Sequence, residues 1–391
     1  MKRHYDSIIV GGGVIGSSIA FQLSKRNYSV LVLEKDGLAE KASSAAAGML
    51  GAQSELEGDS PLFNLARQSR SRFPRLAKEL YQISGVDIEL MQSGIIKVAQ
   101  TEEEVAHLKT VAAYQKSIGE EAEWLAAEEL KKREPGLSDA ALGGVYLPHD
   151  GQVSAPLLAH AFAQSAKKLG ADMLEHTEVK DFIYENGRLS GVKSSAGTFL
   201  AKDIIIAGGA WSKRILSNAG VALDVYPVKG ECFSVIHDKP IATSSIFLSN
   251  GYIVPKSRGR TIIGATQKPY EENPTVELSS LSQLIEMAGR LLPELKNARW
   301  EKAWAGIRPQ TGDGYPYIGK HPELHGLTIA TGHFRNGILL SPITDVKNHF
   351  NITNPVVIVE HNGEILDMAK HPEKEVADGD KIELVQFVGG G

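Results

Sequence analysis

Ser7-Ile8-Ile9-Val10-Gly11-Gly12-Gly13-Val14-Ile15-Gly16, followed by Val30-Leu31-Val32-Leu33-Glu34, is the stretch that decides the fold. Apolar β-formers run into a Gly-x-Gly-x-x-Gly turn. A helix follows with Ile19, Ala20 and Leu23 at core spacing, and a second apolar strand ends in an acid. Gly11 permits the tight turn, Gly13 lets the backbone approach a pyrophosphate, and Gly16 lets helix and strand pack closely. The pyrophosphate sits on the helix N-terminus, where unpaired N–H groups and the dipole favour anions. Glu34 follows the glycines by about 20 residues, where an acid accepts hydrogen bonds from a ribose. The ordered succession predicts a Rossmann-like dinucleotide-binding unit rather than an ordinary glycine turn. Glu34 has no arginine or serine partner for a ribose phosphate, so these residues leave FAD and NAD open.

Composition sets outer bounds. A chain of 391 residues with 42% apolar and 23% charged residues is an ordinary globular protein of two or three domains. No apolar run approaches the roughly 18 residues that span a bilayer, and the apolar run after Met1–Asp6 is too short for a secretory signal. Cys232 is the only cysteine, which excludes an internal disulfide or a cysteine metal cluster. We expect a cytoplasmic chain without a metal site and without membrane attachment. Residues 345–391 carry a balance of −5 and the remainder a balance of zero, with no basic stripe for nucleic acid.

Small residues follow Glu34, from Ala42 to Met49, and let the backbone run close to a neighbour. Leu62, Leu65, Phe73, Leu76, Leu80 and Ile83 predict a long helix over 61–84 closed by Gly85, and Thr101 with Glu104 opens another. Ser154 is read as the cap of a helix through Lys168, and Met173–Val179, Arg188–Ser194 and Asp203–Ala207 as strands. Glu231–His237, Tyr252–Val254 and Thr261–Gly264 look antiparallel, and a helix over 278–292 ends at Pro293. Parallel α/β segments thus alternate with antiparallel ones, so two domains interleave along the chain.

Two further constellations carry chemistry. In Trp304-Ala305-Gly306-Ile307-Arg308-Pro309 an arginine is pinned between a strand end and a proline, which suits bidentate capture of a carboxylate. A structural pairing with Asp313 is the alternative, and the chemistry alone leaves both open. Leu327–Thr331 leads into Gly332-His333-Phe334-Arg335-Asn336-Gly337-Ile338-Leu339-Leu340, a second strand-to-helix turn. It predicts another helix N-terminus aimed inward, able to stabilise an anionic reduced flavin. His333 alone reads as a loop histidine.

The ordered segments DSIIVGGGVIGSSIA, ASSAAAGMLGA, IIIAGGAWS, PVKGE, GYIVP, WAGIRPQTGDGYPYIG and GHFRNGILLSP resemble the D-amino-acid oxidase family, closest to its bacterial glycine oxidase branch of thiamine biosynthesis, over residues 1 to about 343. The resemblance implies a discontinuous α/β FAD-binding domain (1–85, 150–224, 300–344). It also implies an α+β substrate domain with a large antiparallel sheet (86–149, 225–299). It places non-covalent FAD against Val14, Ile15, Glu34, Lys35, Ala42, Ser43, Ala47, Gly48, Met49 and Val179, beside Gly11, Gly13 and Gly16. The contacts continue along His333, Phe334, Arg335, Asn336, Gly337, Ile338 and Leu339. It makes Arg308 the grip on the substrate carboxylate, with Tyr252 and Arg335 beside the reacting centre, and implies a homotetramer. The expected reaction converts a small amino acid and O2 to an imino acid and hydrogen peroxide. Substrate Cα–H is held over flavin N5, so that hydride leaves as the amine lone pair pushes and orientation supplies most of the catalysis. Sarcosine or D-amino-acid oxidation is the near alternative. Cys232, in a substrate-domain strand, is read as a small core hydrophobe.

From about residue 344 the pattern changes. Ile343–Phe350 reads as helical. Pro355–Glu360, His361–Leu366 and Asp380–Gly391 then resemble the thiamine sulfur-carrier protein, a β-grasp module ending in Gly-Gly. No hairpin precedes Thr344, so the grasp is incomplete and its packing is expected to be poor. The resemblance implies thiazole synthase and an adenylating enzyme as partners. It also raises a reading of another class, a carrier or scaffold acting through Gly389–Gly391.

Overall fold

The computed structural model describes residues 3–58, 60–343, 358–361, 364–366 and 382–385. The opening strand His4–Val10 lies parallel to Val30–Leu33 on one side and to Gly197–Ile206 on the other. Asp172–Leu174 and Leu327–Thr331 extend this parallel core outward. Tyr317–Lys320 and the hairpin Val179–Glu185/Arg188–Ser194 complete an eight-stranded sheet with antiparallel additions. The run read as a single strand over Met173–Val179 is thus split. Asp172–Leu174 ends beside Leu33, the chain turns at His176 (φ 53°), and a new strand starts at Val179.

Helix Val14–Ser24 is buried on nearly every side, which explains why its residues are apolar or small apart from Gln22. It packs on Ala155–Lys168, with Phe21 and Phe162 rings 5.8 Å apart. Burying each of these phenylalanines contributes about 1.5–3 kcal/mol. Ser154 occupies the cap position of the second helix, but its side chain makes no capping hydrogen bond. Helix Pro61–Ser84 starts on Ser60, whose Oγ accepts from the Phe63 N–H at 3.1 Å, and ends on Gly85 at φ 80°. Thr101 Oγ1 accepts from the Glu104 N–H, and the Glu104 carboxylate reaches back to the Gln100 N–H.

A second sheet has nine strands, in which Val225–Ile236 pairs antiparallel with Arg260–Gly264 and, over its whole length, with Arg299–Thr311. The long partner strand therefore belongs to this sheet, although the sequence reading placed residues 300–311 with the dinucleotide-binding part. Its far end, around Arg308, borders the same cavity as the turns Gly209–Trp211 and Phe334–Asn336. One parallel pair, Ser245–Leu248 with Ile95–Ala99, brings in the strands Gly143–Leu147 and Glu123–Ala126. Helix Leu278–Leu291 covers this sheet through Leu284, Ala288 and Leu291.

In the C-terminal region, Ile358–His361 lies between Glu364–Leu366 and Ile382–Val385 in a three-stranded antiparallel sheet. Of the expected helix Ile343–Phe350 only Ile343, in a turn, is described; the rest and the terminal glycines lie outside the described residues.

Candidate functional site

The parallel strands of the first sheet open their carboxyl ends onto a cavity of ≈ 770 Å³, bounded by Val10, Leu33, Ala207 and Thr331. This is where open α/β sheets bind ligands. The glycine turn is shaped by contact. Gly11 sits at φ 111°, and a Cβ there would stand 2.4 Å from the Ala207 carbonyl oxygen. A Cβ on Gly16 would stand 2.0 Å from the Gly11 carbonyl oxygen. Gly16 accordingly packs helix against turn and does not line the cavity; every other position expected at the cofactor or substrate does.

Glu34 is fixed by two backbone donors, the Gly12 N–H at 2.6 Å and the Asp36 N–H at 2.9 Å. Its carboxylate is thereby held at the cavity wall with lone pairs to spare. Ser43 Oγ accepts from the Val14 N–H at 2.9 Å, a helix cap brought from 29 residues away in place of a side chain on Gly13. The small-residue segment runs as a short helix, Ala42–Ala45, then a strand, Met49–Leu50. Close approach explains its small side chains: a Cβ on Gly306 would meet Ala45 Cβ at 2.5 Å, and the Ala45 carbonyl accepts from Trp304 Nε1 at 2.9 Å.

At the opposite side, the turn after Leu327–Thr331 carries a 3₁₀ turn, Phe334–Asn336, and a four-residue helix, Gly337–Leu340. Such a short helix sums few peptide dipoles, so the expected inward-aimed helix end carries less charge than the sequence reading assumed. The turn is instead anchored by side chains: Ser18 Oγ donates to the Ser341 carbonyl at 2.7 Å and Ser69 Oγ to the Leu339 carbonyl at 2.6 Å. His333 is buried, and desolvation lowers its pKa to about 3, so the ring is neutral.

The two arginines differ in what they already hold. Arg335 is gripped by Glu55, with Nη2 2.9 Å from Oε1 and Nε 2.9 Å from Oε2. Glu55 is a site residue the sequence reading missed. It ends the helix Ala52–Glu55, whose Gln53 and Ser54 N–H groups donate to the buried Asp150. Arg308 projects from Arg299–Thr311 and donates from Nη1 to the Thr266 carbonyl at 3.2 Å. No carboxylate among the described residues pairs with it; the suggested partner, Asp313, accepts instead from the Tyr315 N–H. Its guanidinium lies over Gly230, where a Cβ would be 2.3 Å from Nη2, and its Cζ is 6.0 Å from the Phe334 ring centroid. Tyr252 is buried with its hydroxyl 3.3 Å from Cys232 Sγ, and desolvation raises its pKa well above 10. Cys232 is buried as expected but also borders the cavity, and burial likewise raises its thiol pKa.

The profile of the family described as FAD dependent oxidoreductase matches residues 6–344, and that of the ThiS family matches residues 340–391. The chain belongs to the FAD-dependent oxidoreductase family. A glycine oxidase of Geobacillus kaustophilus is 48% identical over 88% of this chain and 92% of its own. The glycine oxidase of Bacillus subtilis is 38% identical over the same shares. A bifunctional ThiO/ThiG protein of Synechocystis is 32% identical over 88% of this chain, which corresponds to 51% of that longer protein. The solved glycine oxidase from Geobacillus kaustophilus superposes with a TM-score of 0.86 at 47% identity, covering 88% of this chain and 93% of that one.

FAD is therefore the cofactor, and the cavity fits it. Asn336 Oδ1 is buried at the cavity wall without a partner among the described residues, an acceptor awaiting a donor. The glycine turn and Glu34 at one end and the 333–339 turn at the other are the residues that would hold an elongated dinucleotide. Among the described residues no group of side chains suited to a metal occurs, and no helix is long and apolar enough to cross a membrane.

Proposed function

We propose that this oxidoreductase oxidises glycine and similar small amines, taking glycine, O2 and water to glyoxylate, ammonia and hydrogen peroxide. The single observation that carries the reading is Arg308: a guanidinium without a carboxylate partner among the described residues, held against the wall of the FAD cavity. Bound FAD supplies the two-electron acceptor. Arg308 anchors the substrate carboxylate by charge-assisted hydrogen bonds and so orients the Cα–H bond. Arg335, compensated by Glu55, contributes shape and local charge balance rather than a second anchor. Tyr252 stays a neutral phenol and His333 a neutral imidazole, so neither adds a charge beside the amine. A substrate that arrives as the neutral amine needs no side-chain base. The FAD contacts named above, from Gly11 to Leu339, and the interleaved domain boundaries belong to this proposal.

Glycine oxidase relatives at up to 48% identity support glycine over sarcosine or a D-amino acid. Peroxide release over a panel of amines decides: turnover of sarcosine or D-alanine without glycine gives the site to the alternative. A role in thiamine biosynthesis is supported by the ThiO/ThiG relatives and by the ThiS match at 340–391. In that role the imine feeds thiazole formation, and the tail meets thiazole synthase and an adenylating enzyme. Mass spectrometry after incubation with an adenylating enzyme and a sulfur donor tests the tail; an oxygen-to-sulfur exchange at the terminal carboxylate is the expected change. Cytoplasmic residence, supported by a single buried cysteine, and the tetramer implied by the resemblance complete the proposal.

A further inference from the structure

Behind Arg308 the sheet carries a half-buried ionic cluster that the proposed chemistry does not use. Lys229 and Glu231 are inaccessible to solvent and flank Gly230 in the strand Val225–Ile236. Strand alternation therefore sends them to the face opposite the one on which Arg308 lies. Glu231 pairs with Lys268 at 3.0 Å and Lys229 at 3.6 Å, and Glu277 pairs with the same lysines at 2.8 and 3.2 Å. The two cations and two carboxylates balance, so the cluster places no net charge beneath Arg308. Burial opposes ionisation of Glu231, but hydrogen bonds from Ser280, the Glu277 N–H, Lys268 and Thr266 hold its pKa down at about 2.

Thr266 joins the cluster to Arg308. Thr266 Oγ1 donates to Glu231 Oε2 at 2.9 Å and accepts from the Glu231 N–H at 2.9 Å, and the Thr266 N–H donates to the Glu231 carbonyl at 3.3 Å. Three bonds to one neighbour fix the Thr266 peptide, whose carbonyl is the acceptor that Arg308 Nη1 uses. A carboxylate at this place would neutralise the guanidinium and compete with substrate. A carbonyl orients it and leaves its charge and most of its donors available. We infer that Thr266, locked by Glu231, is a positioning residue that sets the Arg308 guanidinium in its carboxylate-binding orientation. The inference rests on the reading of Arg308 as the carboxylate anchor.

The test uses the full-length holoenzyme, with acetate as the probe, titrated through the change it causes in visible absorbance. Thr266→Val removes the hydroxyl at constant shape, Thr266→Ser keeps it, and Glu231→Gln removes the charge that locks it. Thr266→Val should weaken acetate binding and raise the glycine KM by about tenfold each, with kcat within about twofold of the parent. Thr266→Ser should bind acetate as the parent does. Unchanged acetate affinity in Thr266→Val, or a Thr266→Ser variant as weak as it, overturns the inference. If Thr266→Val loses its fold or colour, Glu231→Gln decides: weakened acetate binding supports the inference and normal binding overturns it. Loss of fold in both assigns the cluster to stability alone and also overturns it. An Arg308→Ala control separates the layers. Unchanged acetate binding there defeats the reading of Arg308 itself, whereas weak binding there with a normal Thr266→Val defeats only the positioning.

Discussion

Arg308 and Arg335 lie in one cavity, yet among the described residues only Arg335 is paired with a carboxylate. Truncating the first should remove substrate binding; truncating the second leaves Glu55 uncompensated. For Arg308→Ala we expect kcat/KM for glycine to fall by two to three orders of magnitude, since each charge-assisted hydrogen bond contributes about 1.5–3 kcal/mol. The colour of bound FAD should persist; a colourless variant would show that Arg308 serves the cofactor instead. His333 gives a pH dependence whose sign follows from its burial. Its pKa is about 3 when folded against 6.5 as the reference, so the unfolded chain binds the extra proton between these values. Its contribution is therefore intact above pH 6.5 and is lost as pH falls toward 3, about 2 kcal/mol by pH 5. Thermal midpoints at pH 7.5 and 5 should differ less in His333→Asn than in the parent. Equal differences would mean that another group sets the slope.

Among the elements, the opening strand-turn-helix was fully legible, because each glycine answers a steric demand that sequence spacing encodes. Gly11→Ala combines a left-handed φ of 111° with a backbone clash at 2.4 Å, and should cost about 2–5 kcal/mol and the bound FAD. Gly289 is the contrasting case, in the helix Leu278–Leu291, where an added Cβ would have nothing within 4 Å. Gly289→Ala should stabilise the protein by about 0.5–1 kcal/mol in denaturant titrations. A destabilised Gly289→Ala with a tolerated Gly11→Ala would reverse this account of the glycines. What the sequence hid was contact between distant segments. Glu55 meets Arg335 across 280 residues, and Ser43 caps a helix that begins at Val14. No local period marks such pairs. The strand Arg299–Thr311 misled for a related reason. Its Trp-Ala-Gly-Ile-Arg-Pro end serves the cavity, while its length pairs with Val225–Ile236 in the other sheet.

At the scale of the whole molecule, two sheets formed from interleaved stretches of chain border the cavity, and a ThiS-like segment follows. The interleaving was legible because parallel and antiparallel patterns alternate along the chain. Cys232 and Thr266 were not legible as neighbours of Arg308, because that meeting exists only once the second sheet is assembled. If the oxidase fold is self-sufficient, removing residues 351–391 should leave kcat/KM for glycine within about twofold of the parent. A collapse of activity would make the tail part of the catalytic fold. The central claim is that FAD bound in this cavity is reduced by an amino acid held on Arg308. The purified protein should be yellow. Glycine added without oxygen should bleach that colour, and air should restore it with release of peroxide. A yellow protein whose spectrum glycine, sarcosine and D-alanine all leave unchanged would contradict the account.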